Sequence, residues 1–458
     1  MNFDTQLSSE DVKTFNRNFI TIIIIMDSLL SSSGMAGQIQ TLLSSMTDGA
    51  ASGTGIVKLL SIAKSYLGVS DVHDIPNYLI LSAKDVQQSQ FGSYPDSNDV
   101  APSAVFLACF LILFFGHTTL FLVNRSRGHK FYMSLAFAFY CLMRWLGFAL
   151  RIVWAKDILK MKVGLASEVF LIIPTVLLAS FNLVLAQRLF TWKHPILGNK
   201  KFFWQSMLAL YAVVIAVVVM SIVAGVVPYL YFLSQSHFDM CRNVMKVTSV
   251  LIVLYSLLAM ILIGAAYLFP TTEKDRQSLI YQPFWIKSFR PTYFPKRNAS
   301  KEGELLFLRK HAGDSREPLR TVVGAGLRLI DQKDEPESDE LNEFEQSGEE
   351  KFALKHNQSI IIIAITTIFV FLGAIFRCIG CFLDTTYANQ GWIFKPVVMY
   401  VLWGALETIV NVFYLVGRID LRFYRPDSFP KGALLDASSR SSDESLDHEK
   451  SSNVETTV

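Results

Sequence analysis

Five charged side chains fall inside long apolar runs of this sequence: Arg144, Arg151, Glu168, Arg377 and Glu407. A charge at the centre of a bilayer costs about 2.5–3.5 kcal/mol even on insertion-based scales, so such residues pair, line water or extend towards the surface. Arginines that converge on an open polar pocket can hold a phosphate or carboxylate group. Arginines that are each paired with a carboxylate in a dry core instead fix the arrangement of the helices. These five residues are the first candidates for a binding site.

Seven apolar runs are long enough to cross a membrane as helices, since a span needs about 20 largely apolar residues. They are Ala104–Val123, Phe131–Trp154, Leu165–Ala186, Met207–Val227, Val247–Phe269, Ser359–Phe382 and Val397–Val416. The composition agrees, because 51% of the residues are hydrophobic and only 18% are charged, against about 25% in soluble domains. The alternating segments of a transmembrane β-barrel are not seen in the sequence. We therefore predict an all-α, polytopic seven-transmembrane helical bundle.

Basic residues in the short loops predict the orientation of the bundle, because cytoplasmic loops carry an excess of Lys and Arg. Ten basic residues follow the first, third and seventh runs, whereas six lie in the short loops on the other side. This distribution predicts an N-terminus outside and a C-terminus in the cytoplasm. The predicted location is the plasma membrane or an endomembrane.

The runs divide the chain into five predicted parts. Residues 1–103 form an N-terminal segment outside, 104–269 hold the first five spans, 270–358 form a long and partly disordered cytoplasmic loop, 359–416 hold the last two spans, and 417–458 form a disordered cytoplasmic tail. A signal-like stretch at 19–37 fits either a cleaved signal peptide or a packed helix. Acidic residues ahead of it, such as Glu10 and Asp11, favour the packed helix.

Depth along the spans predicts which charges meet. Arg151 and Glu168 lie at one depth near the outer ends of the second and third spans, and Arg144 and Glu407 lie near the membrane centre. We therefore predict the pairs Arg151–Glu168 and Arg144–Glu407. Arg377, in the outer third of the sixth span, is left to join a polar cluster in the outer leaflet.

Three further residues within the spans have structural as well as functional interpretations. Gly147 lies between Arg144 and Arg151 on one helical face, where its small size permits close helix approach. His117 adds a polar group to the first span, and the more ordinary interpretation is an interhelical hydrogen bond. Pro174 breaks a backbone hydrogen bond and is expected to kink the third span.

Two cysteines and three serines outside the apolar cores complete the candidate sites. Cys241 and Cys381 both lie towards the outside, where a single disulfide between them can form, and two unpaired thiols fit the sequence equally well. Ser441, Ser442 and Ser445 lie in an acidic, Ser-rich tail and are predicted phosphorylation sites.

The motifs of soluble enzymes are missing from the sequence. We find no Gly-rich phosphate loop, no His/Cys metal spacing and no nucleophile elbow, and none of the seven runs contains an Asp. We therefore predict no enzymatic activity, no catalytic residue, no cofactor and no metal. The net charge of only +3 argues against a nucleic-acid partner. The predicted partners are membrane lipids and cytoplasmic proteins that bind the loop 270–358 or the tail 417–458.

Short motifs in the first three predicted spans form a recognisable series. Pro102-Ser103-Ala104 leads into Leu113-Phe114-Phe115-Gly116-His117, the second span contains Arg144-Trp145-Leu146-Gly147-Phe148-Ala149-Leu150-Arg151, and Pro174 is followed by Ala179-Ser180. These stretches resemble the first three spans of the fungal RTA-like (resistance to aminocholesterol) family of lipid-translocating exporters. The second matches the family's signature Glu-x-x-Gly-Tyr-x-x-Arg, although Arg144 stands for the Glu and Phe148 for the Tyr.

The resemblance covers roughly residues 102–418 and marks the chain as a divergent relative. Arg377 and Tyr400 are similar to the Arg and Tyr of the sixth and seventh spans of that family. The positions carried over from the resemblance are Gly147, Arg151, Pro174 and Arg377.

The leading hypothesis from the sequence is a membrane protein that binds or translocates amphipathic lipid or sterol-like molecules. Its candidate binding residues are Arg144, Gly147, Arg151, Glu168, Arg377, Glu407 and His117. The alternatives are a seven-helix receptor or sensor that signals through its cytoplasmic loop and tail, and a non-transporting membrane scaffold.

Overall fold

The computed structural model describes residues 49–198, 200–272, 280–281, 294, 297, 320–321 and 356–423. Seven helical segments in this part of the chain are long and apolar enough to cross a membrane. The first six spans are Val100–Ser126, Tyr132–Lys156, Met161–Lys193, Lys201–Leu230, Gln235–Leu268 and His356–Phe382, and the seventh covers Pro396–Val416. The predicted all-α seven-helix bundle is confirmed, and the chain is a multi-pass integral membrane protein.

Several spans are longer than the apolar runs that predicted them. The fifth span begins at Gln235, about three turns before its apolar run. The third extends from Met161 to Lys193 and so passes both ends of its run. Polar turns continue these helices because the backbone hydrogen bonds do not depend on lipid.

The third span lies at the centre of the bundle, where it packs against the second, fourth, fifth and sixth spans, while the seventh span packs against the first and the sixth. Burial follows this arrangement. Of the 18 most apolar consecutive residues in each span, 56% are buried in the third span and 50% in the second and seventh. Only 22% are buried in the first and fourth spans. Large apolar side chains such as Ile112 and Ile215 are exposed on the first and fourth spans, the surface that lipid would cover.

The seventh span changes its helical type along its length. It starts as an α-helix over Pro396–Met399, continues as a π-helix over Tyr400–Leu406 and returns to an α-helix over Glu407–Val416. A π-helical stretch inserts extra backbone per turn and is frequent at functional sites.

Residues 49–99 cover one end of the bundle, which we call the capped end. They contain two helices, Ile56–Leu67 and Asn77–Asp85, where the sequence has amphipathic stretches. This segment is held to the loops between spans by backbone hydrogen bonds. Ser89 donates to the carbonyl of Thr385 at 2.9 Å, and Ala51 donates to that of Leu233 at 2.8 Å.

Short elements complete the fold. They are 3-10 turns at Val72–Asp74, Ser97–Asp99, Tyr387–Asn389 and Trp392–Phe394, single helical turns at Pro195–Gly198 and Ile419–Arg422, and a two-residue parallel pairing of Ile280–Tyr281 with Arg320–Thr321. The turn Ile419–Arg422 lies at the opposite end of the bundle, which we call the tail end.

The disorder predicted from residue 417 onwards is wrong for residues 417–423. Ile419, Leu421 and Phe423 are buried, and the ring of Phe423 stacks on that of Trp192 in the third span. The charges of this segment are buried as well, because partners within the bundle satisfy them. The signal-like stretch 19–37, most of the loop 270–358 and the serines Ser441, Ser442 and Ser445 lie outside the described residues.

Candidate functional site

Arg144 and Glu407 form the predicted ion pair in the middle of the bundle. Nε of Arg144 lies 2.7 Å from Oε2 of Glu407, and Nη2 of Arg144 contacts the same oxygen. The hydroxyl of Tyr140 donates to this carboxylate oxygen, and Nη1 of Arg144 donates to the carbonyl of Leu171 at 2.7 Å. The side chains of Tyr140, Arg144 and Glu407 are buried, so the charges are stabilised by each other and by the hydrogen bonds around them.

The π-helix of the seventh span helps to place this pair. Tyr400, Trp403 and Glu407 are all buried on the inner side of the span. The guanidinium of Arg144 lies 5.4 Å from the ring centre of Trp403, close enough for a cation–π contact. Arg144 is therefore held by a carboxylate and an aromatic face that both come from the seventh span.

Arg151 is the centre of a second polar cluster, nearer the capped end. Nη1 lies 3.3 Å from Oε1 of Glu168, as predicted, and Nη2 lies 3.6 Å from Oδ2 of Asp99. Nε donates to the hydroxyl of Tyr400 at 3.2 Å, and Nη2 donates to the carbonyl of Gly92 at 2.6 Å. This one guanidinium thus ties the second span to the third, the seventh and the N-terminal segment.

Gly92 supplies its carbonyl from a backbone conformation with φ of +95°. A Cβ at this position would lie 2.5 Å from Sδ of Met399 in the seventh span. Both the left-handed backbone and the close approach therefore favour glycine here.

Gly147 allows the second and third spans to approach closely, as predicted. A Cβ at Gly147 would lie 2.9 Å from Cδ2 of Leu171, and the carbonyl of Gly147 accepts a hydrogen bond from Ser167 at 2.9 Å. Gly147 contributes to packing between the two arginine clusters. The described cavities are not lined by Gly147.

Arg377 in the sixth span differs from the other two buried arginines. Its side chain is 4% exposed, yet within the described part of the chain no carboxylate comes within ion-pair distance of it. Nη1 makes one long hydrogen bond, 3.5 Å, to Oγ1 of Thr175, and Nη2 is buried without a partner. The structure therefore contains a buried cation whose hydrogen-bonding capacity is unfilled.

A cavity lies beside Arg377, between the third to seventh spans at the capped end. Its volume, measured as the space open to the centres of water-sized spheres, is about 120 Å³, and residues 88–91 of the N-terminal segment contribute to its wall. Apolar side chains such as Leu165, Ile172 and Ile222 make up much of the lining, and Glu168 and Arg377 supply charges. We call this space the capped-end cavity.

A smaller space of about 10 Å³, on the same measure, lies next to the capped-end cavity. Arg377 and Trp403 line both spaces, and the smaller one extends to Glu407. The structure therefore places Glu168 and Arg377 on the capped-end cavity, with the Arg144–Glu407 pair beyond it towards the bundle centre.

Cys241 and Cys381 are both free thiols in the structure, which is one of the two alternatives that the sequence left open. Both residues line the capped-end cavity. The ends of the fifth and sixth spans at the capped end are linked by an ion pair of Arg242 with Asp384.

His117 and Pro174 lie away from the cavity. His117 is buried, its ring lies 5.4 Å from that of Phe137, and its Nε2 has no partner. Pro174 is buried within the third span. Neither residue lines a described cavity, so neither is brought together with Arg377.

A third polar cluster, at the tail end, is built around Asp420. Arg418 donates from Nε to Oδ1 of Asp420 at 3.0 Å and from Nη2 to Oδ2 at 2.8 Å. Nδ2 of Asn124 donates to Oδ2 at 2.6 Å, and Nε2 of His129 lies 2.9 Å from the carbonyl of Asp420. These contacts hold the start of the tail against the first span and the loop that follows it.

Arg422 extends the same cluster towards the sixth span. Its Nε donates to the carbonyl of Gly417 at 2.6 Å and its Nη1 to Oγ of Ser359 at 3.0 Å. Nη1 of Arg188 in the third span donates to the carbonyl of Phe423 at 2.5 Å. Residues 417–423 are therefore anchored to the first, third and sixth spans and to the loop that contains His129.

Burial and charge shift the titration of this tail-end cluster. Burial lowers the pKa of His129 to about 4, against the opposing effect of Asp420. Burial alone would raise the pKa of Asp420, but the charge and hydrogen bonds of Arg418 outweigh it and bring the pKa below its usual value. Burial also lowers the pKa of Arg422 to about 10. At neutral pH, Asp420 is ionised and His129 is neutral.

Sequence reasoning missed several residues of these clusters. Asp99 lies just before the first apolar run, and the spacing of Asp96 and Asp99 as a capping box was the available signal. Tyr140 lies one turn before Arg144, on the same helical face. Asp420 and Arg418 follow the last run, where basic residues were assigned only to the orientation of the bundle.

Among the described residues, no group of three or more His, Cys, Asp or Glu is placed to hold a metal ion. The arrangement instead combines an apolar cavity, one buried guanidinium without a carboxylate and two arginines that are each paired. Such a site can bind a ligand through polar contacts.

Comparisons with known proteins concern the second half of the chain. Residues 195–424 match a family model described as a protein of unknown function (DUF3112). This region contains the fourth to seventh spans, Arg377, Glu407 and the tail-end segment. Comparison with curated proteins and with solved structures finds no match. Because the matched region is half of the chain, the protein belongs to the DUF3112 family.

Proposed function

We propose that this membrane protein binds amphipathic lipid or sterol-like molecules in the capped-end cavity. The cavity lies between the third to seventh spans, and the space between the helices of a bundle is a common place for small-molecule sites. Apolar walls suit a hydrocarbon tail or ring system, and a few polar groups suit a headgroup.

The single observation that carries this proposal is the state of Arg377. A buried charge without a partner is costly, and proteins usually pair it or replace it with an apolar residue. Arg377 lines the cavity and has a buried Nη2 with no acceptor. A bound ligand would supply the missing acceptor.

Translocation is the extended form of the same proposal. The Arg144–Glu407 pair forms the next polar layer beyond the capped-end cavity, and the Asp420 cluster forms another at the tail end. A headgroup that crosses the bundle would move along these layers. The resemblance to the RTA-like lipid-translocating exporters, which includes Arg151 and Arg377, supports this extension.

A receptor is the second candidate function, favoured by the seventh span. Trp403 lines the cavity, and the same span ends at the buried segment 417–423. A ligand that displaces Trp403 would therefore act on the helix that leads directly into the C-terminal tail. In this role the ligand binds but is not moved across the membrane, and cytoplasmic proteins would bind the tail or the loop 270–358.

The proposal assigns no catalytic step, no cofactor and no metal to the chain. The location that fits it is a lipid-rich plasma membrane or endomembrane, and the expected partners are membrane lipids. A non-transporting scaffold is the outcome if the cavity takes up no amphiphile.

Photo-crosslinking tests binding directly. The purified full chain, in nanodiscs, is irradiated with a photoactivatable fatty acid and, separately, with a photoactivatable sterol. We expect labelled peptides from the third to seventh spans around the cavity, and loss of the label when an unreactive analogue of the same probe is added.

A matched pair of variants separates the cavity from the lipid surface. Ser221 of the fourth span is buried and lines the cavity, whereas Val223 on the same span is 53% exposed. We expect Ser221→Trp to fill the cavity and abolish specific labelling, and Val223→Trp to preserve it. Labelling confined to exposed surfaces and unchanged by Ser221→Trp would contradict the proposal.

Flux through vesicles separates the transporter from the receptor. A labelled lipid is followed across the membrane of vesicles that contain wild type or Arg151→Ala. Faster transfer with wild type than with the variant supports translocation, and binding without any transfer supports the receptor.

A further inference from the structure

We infer that the ligand of the capped-end cavity carries an anionic headgroup, a carboxylate or a phosphate, which binds Arg377 with help from Trp403. This inference rests on the proposed function and adds the chemistry of the headgroup. It follows from which polar groups of the cavity are left unsatisfied.

The unsatisfied groups of the cavity wall are hydrogen-bond donors. Within the described residues, the buried wall atoms without a partner are Nη2 of Arg377, Nε1 of Trp403, Oγ of Ser221 and Nε of Arg242. The guanidinium and indole nitrogens can only donate, and a hydroxyl can do so as well. Buried donors of this kind are rare in native proteins because each one gives up its hydrogen bonds to water without gaining another. The cavity is therefore complementary to a ligand rich in acceptors.

The charges that face the cavity lead to the same conclusion. The carboxylate of Glu168 is already engaged by Arg151, with Nη1 and Oε1 3.3 Å apart. Arg242, at the capped end of the fifth span, is paired with Asp384, and its Nη1 lies 3.6 Å from Oδ1 of Asp239. In the part of the chain that the structure describes, Arg377 is the one cation lining this cavity without an ion pair.

The chemistry of a guanidinium selects among headgroups. Its planar N–H groups match the two oxygens of a carboxylate or phosphate and form charge-assisted hydrogen bonds, about twice as strong as neutral ones. A protonated amine would bring further donors and a second positive charge to Arg377. An alcohol would accept from the guanidinium but would leave its charge uncompensated.

Trp403 is positioned to share the headgroup with Arg377. Both residues line the capped-end cavity and the smaller cavity beside it, so they occupy the boundary between the two spaces. The unpartnered Nε1 of Trp403 can donate to an anion oxygen. The apolar wall that includes Leu165, Ile172 and Ile222 would then surround the tail of the ligand.

A headgroup series on one hydrocarbon tail tests the inference. The full chain is reconstituted in nanodiscs of zwitterionic phospholipid, and binding of a saturated fatty acid is compared with that of the alkyl phosphate, alcohol and amine of equal chain length. We expect the two anions to bind at least about tenfold more tightly than the alcohol, since a hydrogen bond to a charged group contributes about 1.5–3 kcal/mol. The amine should bind most weakly.

Two variants that each remove one positive charge provide the matched comparison. Arg377→Gln should reduce the preference for the anions over the alcohol to less than about threefold. Lys246→Gln removes a charge from the fifth span, where the ammonium lies 5.9 Å from the ring centre of Phe382 and not at the cavity. This variant should keep the wild-type preference.

The outcomes distinguish the inference from the proposed function. Equal binding of alcohol and anions, tighter binding of the amine, or an anion preference that survives Arg377→Gln would overturn the inference while amphiphile binding stands. Absence of binding by all four amphiphiles would contradict the proposed function.

Inorganic phosphate and acetate serve as competitors that have no hydrocarbon tail. If they bind the wild type as tightly as the amphiphiles do, and Arg377→Gln removes this binding, the anion site stands but the lipid function falls.

Discussion

Nε of Arg144 lies 2.7 Å from Oε2 of Glu407 in the middle of the helical bundle, so the second and seventh spans are joined by a buried ion pair. Arg377, by contrast, lies near the same carboxylate across a small cavity, which both residues line, without pairing to it. Of these two arginines, Arg144 is paired with a carboxylate, whereas Arg377 has no carboxylate partner and is available to a ligand. This difference separates a structural role from a binding role.

The Arg144–Glu407 pair gives the first prediction. Glu407→Gln should destabilise the protein by about 3–5 kcal/mol, because it leaves the buried guanidinium of Arg144 without its counter-charge. The double variant Arg144→Gln with Glu407→Gln should recover part of this loss. The measurement is thermal unfolding of the purified protein in a non-ionic detergent, read as a double-mutant cycle. Additive losses in the double variant would disprove the coupling.

Arg377 gives the opposite prediction for stability. Without ligand, Arg377→Met should unfold at a temperature at least as high as wild type, because it removes a buried charge that has no carboxylate partner. Arg144→Met serves as the control and should unfold at a clearly lower temperature. A similar loss of stability in both variants would show that Arg377 has a structural partner and is not available to bind a ligand.

The two ion pairs show how far the sequence predicts the site. Equal depth along the apolar runs was enough to pair Arg144 with Glu407 and Arg151 with Glu168, because the seven spans share one membrane frame. Depth does not give the rotation of a helix, and the π-helix at Tyr400–Leu406 alters that rotation. For this reason the place of Trp403 beside Arg377 could not be predicted.

The two ends of the bundle were less predictable than its centre. Asp99 and Asp420 lie just beyond the apolar runs, where the sequence pattern predicts loops. Both are nevertheless buried beside arginines. Their burial depends on how the N-terminal segment and residues 417–423 fold back onto the spans. These are long-range contacts that periodicity does not report.

Acidification should destabilise the tail end. The pKa of His129 is about 4 in the folded protein, against 6.5 when exposed, so the unfolded chain binds more protons between these values and stability falls as the pH decreases from 6.5 to 4. The loss amounts to roughly 3 kcal/mol at the lower limit. The pKa of Asp420 is also lowered, so its ionised form stabilises the fold at pH values above the pKa of the unfolded chain. This stabilisation is lost below about pH 4.

Thermal unfolding between pH 7.5 and 4 checks this behaviour. His129→Gln keeps an amide donor for the carbonyl of Asp420 but does not titrate, so it should flatten the decline between pH 6.5 and 4. A wild-type decline of the same steepness in His129→Gln would assign the pH dependence to other groups.

Residues 417–423 should be part of the folded bundle and not of the tail. A chain that ends after Phe423 should keep the unfolding temperature of the full chain, because the contacts of Asp420 and Arg422 remain. A chain that ends after Val416 should lose stability, since it removes the partners of Asn124, His129 and Ser359. Equal stability of the two truncated chains would show that this segment does not anchor the tail end.

The predicted orientation is tested by glycosylation. An acceptor sequon introduced into the loop between the sixth and seventh spans, Leu383–Lys395, should be modified, because this loop lies at the capped end and is predicted to face outside. Modification at the native sequon of Asn298, with none in the introduced loop site, would invert the orientation.

Native mass spectrometry of the full chain tests the central claim, amphiphile binding in the capped-end cavity, most directly. A single fatty acid or alkyl phosphate retained per chain, lost in Ser221→Trp and kept in Val223→Trp, is the predicted result. Equal retention by the two tryptophan variants would place the ligand on the lipid-facing surface and contradict the account.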